Sequence, residues 1–244
     1  HVNFAPVADV DNNPENPVIA TRSFGNNKEE VVAKCMAYIK GMQNNGVLGC
    51  IKHFPGHGDT DTDSHYTLSV VPHCRERLDD IELYPFKKLI ETSGVAAVMT
   101  AHLHVPALDD TPGLPSSLSK KVVTGVLQSE LGFKGLVFTD GLKMEGVRGA
   151  FGGGGEVEVQ ALYAGNDVLL GSPDSLIEEA HTAIKHALEK GRLSETDIEN
   201  KVKKMLRAKY RLGLLEPSFL KEEGVLEDLN SQAAYKLKER FSEL

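Results

Sequence analysis

Short apolar runs alternate with longer amphipathic stretches along this chain, and that alternation limits the fold more than any other feature. The runs lie at residues 2–10, 47–51, 95–100, 135–139 and 167–170. Each is short and bounded by Gly, Pro, Asn or Asp, as buried strands are. Between them fall helical patterns. Residues 28–44 place Val31, Val32, Cys35, Met36, Ile39 and Met42 on one face. A single helix over about 77–92 would turn Leu78, Ile81, Phe86, Leu89 and Ile90 inward despite Pro85. Ser119 is placed to cap a helix with the stripe Val122, Val123, Val126, Leu127 and Leu131, stopped by Gly132. Further helices are expected at 156–164, from Ser172 and Pro173 to Gly191, from Ser194 to about Leu212, and at 230–243. Strand and helix in strict turn favour parallel pairing. The expected fold class is therefore α/β, a (β/α)8-type TIM barrel left incomplete, because five strands are read where a closed barrel has about eight.

Composition narrows the partners. The chain has 244 residues, 41% of them apolar, enough for one large core. A net charge of -8 argues against nucleic acid as a partner. No apolar run approaches the roughly 18 residues of a membrane span. Cys35, Cys50 and Cys74 are odd in number and fall in unlike contexts, so unpaired, mostly buried thiols are expected. A cytoplasmic location is slightly favoured. Export to the periplasm or beyond stays open, because the chain begins at His1 and shows no leader of its own.

Chemistry concentrates after the second run, in Lys52-His53-Phe54-Pro55-Gly56-His57-Gly58-Asp59-Thr60-Asp61-Thr62-Asp63-Ser64-His65. Glycine, proline and alternating aspartates make most of this stretch a loop that leaves the C-terminal end of a strand. In a parallel barrel that end carries the reacting groups. A plain polar turn would not need so many imidazoles. A calcium loop fails, since Ser64 stands where its glycine belongs and Val70 where its closing glutamate belongs. A transition-metal site from His53, His57 and His65 remains an alternative. The other reading is proton transfer by His65, with Asp63 fixing its tautomer.

Lys-His-Phe-Pro-Gly-His-Gly followed by Asp-Ser-His resembles the signature of the β-N-acetylglucosaminidases of glycoside hydrolase family 3. The resemblance extends to Asn3–Val10, Asn13-Pro14, Arg22–Gly25, Thr139–Gly146 and Ala164–Leu170, in order over roughly residues 1–215. It implies a retaining β-N-acetylglucosaminidase that releases terminal GlcNAc from peptidoglycan fragments or chitin oligosaccharides. Asp140 is then the nucleophile, and His65 the acid/base with Asp63 as its partner. Arg22, Lys52, His53, His102 and Met144 are then substrate-binding, with His104 in a supporting place. No cofactor and no metal are implied. The family has further strands, and an acidic sugar-binding residue, before the segment matched by Asn3–Val10. Residues 1–215 are thus expected to be the catalytic barrel lacking its N-terminal strands. Residues 216–244 would be a helical tail or the start of a linker. A monomer is expected, with pairing through the incomplete barrel left open.

Other readings stay in view. Asp140 could instead be a cap or turn residue, although its place at a strand end favours function; without the resemblance, Arg22 reads as a surface ion pair and Lys52 as a solvated strand end. The same site could use phosphate in place of water as a GlcNAc phosphorylase. A metal-dependent amidohydrolase-like barrel would take His102, His104 and Asp140 as ligands. Gly141 departs from the family, which often carries a second aspartate there.

Overall fold

The structure is a computed structural model that describes residues 1–61, 68–144, 147–148, 155–171, 177–214, 224, 229 and 231–242. Its strands are β1 (Val2–Asn3), β2 (Leu48–Phe54), β3 (Ser69–Val70), β4 (Ala97–Thr100), β5 (Leu103–His104), β6 (Leu136–Gly141) and β7 (Val168–Leu170). Its helices are α1 (Lys28–Gln43), α2 (Arg75–Asp80), α3 (Tyr84–Thr92), α4 (Lys121–Glu130), α5 (Glu156–Ala164), α6 (Ile177–Glu189), α7 (Glu195–Arg211) and α8 (Gln232–Ser242). Five strands form one parallel sheet in the order β1-β2-β4-β6-β7, curled as half of a barrel. The expected α/β class with five barrel-type strands is what forms. The short parallel pair β3–β5, which no periodicity in the sequence announces, lies apart from it.

Contacts divide the chain into two units, His1–Ala208 and Lys209–Leu244. The first holds the sheet and its core. The second contains α8, whose Tyr235 and Leu237 are exposed.

Side chains alternate across the strands, as a pleated backbone requires. Ile51, Val98 and Val137 face outward into a layer with Val31, Cys35 and Ile39 of α1, Phe86 and Leu89 of α3, and Val122, Val126 and Leu127 of α4. Cys50, Ala97, Met99, Leu136 and Phe138 face the hollow of the sheet, where Phe4, Met205 and Ala208 pack against them. The Phe4 and Phe138 rings meet edge to face at 5.3 Å. Burial on both faces explains why these strands read as continuous apolar runs. Cys35 and Cys50 are free thiols, pushed up to about 12 by burial.

Three expectations need correction. The helix read over 77–92 is two helices, because Pro85 lacks an N–H and takes the first turn of α3. The run 2–10 forms only the two-residue β1 and a single bridge from Val7 to Lys52, Pro6 having no N–H to give a ladder. The stretch behind Ser119 is wound as a π-helix over Lys121–Glu130, although Ser119 Oγ still accepts the Val122 N–H at 3.2 Å. No pattern in the sequence distinguishes that winding.

Candidate active site

The C-terminal ends of β2, β4 and β6 lie side by side, since Phe54 pairs with Thr100 and Thr100 with Thr139. Parallel register alone therefore puts Lys52 and His53 from β2, His102 after β4, and Asp140 from β6 along one rim. A cavity of about 200 Å³ opens there. Its polar lining is Arg22, Lys52, His53, His57 and Asp140, and Phe4, Val18, Met99 and Leu170 complete the wall.

Asp9 organises one side of this rim. Its carboxylate is buried and accepts His53 N at 3.1 Å, His57 N at 2.8 Å and His53 Nδ1 at 2.7 Å. Burial opposes its charge, yet the charge and hydrogen bond of His53, with His57 beside them, hold the carboxyl below the ordinary range. With Nδ1 turned to Asp9, the other ring nitrogen of His53, Nε2, faces Arg22, whose NH2 lies 3.4 Å away. Arg22 is exposed in a 3₁₀ turn and is steadied by a bond to Val18 O at 3.0 Å. Close packing sets this loop. A Cβ on Gly58 would fall 1.8 Å from Val10 O, so only glycine fits against that backbone.

Asp140 stands on the other side, half-buried, with Gly141 N–H at 2.8 Å on Oδ1. Burial works against its ionisation, but the charges of His53 and His102, the Gly141 N–H and Lys52 keep its carboxyl below the usual range. Lys52 is partly buried, and its ammonium is pushed down by burial and by Arg22, while Asp140 favours its charge. His102 is buried, and burial pulls its pKa down. Its bonds agree with a neutral ring: Nε2–H donates to Gly141 O at 3.1 Å, and Nδ1 accepts from Ser117 Oγ at 2.7 Å.

The structure thus brings Arg22, Lys52, His53 and Asp140 to one cavity. His102 lies behind Asp140, bonded to the carbonyl of the next residue. Met144 packs with the cluster of Leu118, Leu142 and Val157 and is not in the cavity wall. His104 Nδ1 lies 3.4 Å from Leu114 O. Among the described residues His102, His104 and Asp140 do not gather as a ligand set. Asp63 and His65 lie outside the described residues, and with them the expected acid/base pair and the third histidine of the metal alternative. Asp9 was missed by the sequence reading. Its one signal is a carboxylate inside an apolar run, where charge is uncommon without a partner.

The chain is similar to several known proteins. The family model described as "Glycosyl hydrolase family 3 N terminal domain" matches residues 1–208. Beta-hexosaminidase A of Pseudoalteromonas piscicida is 34% identical over 229 residues, which cover 87% of this chain and 38% of that protein. A structure of a glycoside hydrolase family 3 beta-N-acetylglucosaminidase from Paenibacillus sp. matches with a TM-score of 0.93 at 42% identity, over 100% of this chain and 46% of that one. A beta-glucoside phosphorylase matches with a TM-score of 0.89 at 28% identity, over 97% of this chain and 43% of that one. The chain spans less than half the length of each of these relatives. With its parallel sheet, its rim of strand-end residues and a family match over most of its length, the chain belongs to glycosyl hydrolase family 3.

Proposed function

We propose that this chain carries the catalytic half-site of a retaining β-N-acetylglucosaminidase, built on part of a (β/α)8 barrel. The observation that carries the reading is the Asp140 carboxylate, held ionised at a strand end and facing a cavity with Lys52, Arg22 and His53. Asp140 attacks the anomeric carbon of a terminal β-linked GlcNAc and forms a covalent glycosyl-enzyme. Protonated His65, charged and oriented by Asp63, gives its proton to the leaving oxygen. The neutral imidazole then takes a proton from water, which attacks the same carbon and frees Asp140. Arg22 and Lys52 bring several N–H donors to sugar hydroxyls and the acetamido carbonyl. His53 is locked in one tautomer beside them, while His102 positions the Gly141 carbonyl next to the nucleophile. Peptidoglycan fragments and chitin oligosaccharides both present the required terminal sugar.

Proton NMR of the first product formed from an aryl β-N-acetylglucosaminide tests the reading. Retention predicts that the β anomer appears first and mutarotates afterwards. Initial release of the α anomer would exclude a nucleophilic Asp140. A second reading, phosphorolysis, is favoured by the likeness to the beta-glucoside phosphorylase. A neutral imidazole repels an incoming anion less than a carboxylate would. GlcNAc-1-phosphate formed in phosphate buffer, with little free GlcNAc, would decide for it.

A further inference from the structure

Two side chains outside the cavity wall hold the turn that carries Arg22. At the far end Ser23 Oγ donates to Asp9 O at 2.7 Å. At the near end stands Asn16, which is buried and which the chemistry above does not use. Its Oδ1 accepts Val18 N at 2.9 Å and Ile19 N at 2.8 Å, while its Nδ2 donates to His57 O at 2.8 Å and reaches Thr60 Oγ1 at 3.4 Å. The position needs an acceptor and a donor at once, and a carboxamide supplies both on one short side chain.

These bonds lead to the guanidinium. Val18 O accepts Arg22 NH1 at 3.0 Å, and Ile19 O accepts Arg22 N at 2.8 Å. The two residues whose N–H groups bond Asn16 are therefore the two whose carbonyls hold Arg22. Between them and Arg22 lies Ala20 with a φ of 34°, a left-handed conformation that a residue with a Cβ keeps only where its surroundings fix it. Asn16 and the fully buried Ile19 provide that fixing. Through His57 O the same amide ties the turn to the loop of His53 and His57, so both sides of the cavity share one anchor. Arg22 is exposed, and a long exposed side chain loses rotamer freedom when it grips a ligand. Fixing its backbone and one of its nitrogens beforehand lowers that cost.

We propose that Asn16 is a positioning residue for Arg22, setting the guanidinium over the cavity through the carbonyls of Val18 and Ile19. The proposal rests on the reading of Arg22 as a group that holds the sugar.

A double-mutant cycle tests it, with kcat and KM measured on an aryl β-N-acetylglucosaminide for the parent, Asn16→Ala, Arg22→Ala and the pair. Arg22→Ala should lose about 10- to 100-fold in kcat/KM, mostly through KM, as loss of a charged hydrogen-bond donor to bound sugar does. Asn16→Ala should lose about 10-fold, again mostly through KM. In the Arg22→Ala background it should cost no more than about 2-fold, because the group it positions is gone. Far-UV circular dichroism checks that each variant is folded at the assay temperature. If Asn16→Ala does not fold, Asn16→Ser takes its place in the cycle. A serine hydroxyl still accepts the Val18 N–H locally but cannot reach His57 O, and a loss of about 5-fold that disappears without Arg22 is expected. Equal losses in the two backgrounds would mean that Asn16 supports only the fold, and would overturn the proposal. No loss on replacing Asn16, with Arg22→Ala still impaired, overturns the proposal and leaves the reading of Arg22 standing. An Arg22→Ala variant as active as the parent removes that reading and the proposal with it.

Discussion

Asp9 and Asp140 stand on the same rim of the sheet, one beside the end of β2 and the other at the end of β6. Both carboxyls are held below their ordinary range against the effect of burial, with His53 named among the causes for each. What differs is how their oxygens are occupied. Both oxygens of Asp9 are taken by His53 and His57, and its side chain has no exposure. Among the described residues Asp140 accepts one hydrogen bond, from the adjacent Gly141 N–H, and it faces the cavity. A buried carboxylate saturated with donors is stabilised where it is and has nothing left for a substrate. A carboxylate that is ionised but sparsely bonded keeps a lone pair for chemistry. If Asp140 is the nucleophile we propose, it is hydrogen-bond occupancy rather than charge that sets it apart from the Asp9 anchor.

Substitution should separate the two sharply. Asp140→Asn removes the charge at nearly constant size, and we expect activity to fall by at least about 10³-fold, with the thermal midpoint little changed. Activity within a factor of ten of the parent would end the comparison. Asp9→Asn should do the reverse in kind. It turns an amide toward three N–H donors and leaves them poorly paired, so unfolding in urea should show a loss of roughly 3–5 kcal/mol. A stable variant with full activity would mean that the bonds to His53 and His57 anchor nothing. Gly58→Ala tests the same shell without touching a charge. The added Cβ meets Val10 O, and displacing that backbone should cost about 1–3 kcal/mol, read as a lower urea midpoint.

The smallest effect is on pH dependence, and its sign follows from the direction of the shift. Asp9 binds its proton less readily when folded, so its contribution to stability is present above the unfolded pKa of about 3.9. That contribution is lost as pH falls through the lower folded value. Below about pH 4 the stability of Asp9→Asn should therefore depend on pH less steeply than that of the parent. Parallel acid-unfolding curves for the two proteins would contradict the assignment.

Local chemistry made much of this protein legible before any contact was known. The periods of α1, β4 and β6 and the turn residues around them are set by neighbours in sequence, and they appear almost where the patterns put them. Asp140 could be placed at a strand end for the same reason: the apolar run before it and the Gly after it are local facts. Tertiary structure decided what local patterns do not encode. Asp9 meets His53 and His57 from 44 and 48 residues away, and that meeting fixes a tautomer which neither segment specifies. The two halves of the 77–92 stretch separate because Leu83 is drawn into the core while Pro85 starts a new turn, a balance between burial and backbone rather than a feature of either alone. Asp59 and His73 meet across 14 residues of chain. A sequence pattern records which face of an element is apolar. It carries no record of which polar atoms from distant elements will have only one another to bond once water has been excluded, and that is what the packed sheet decides.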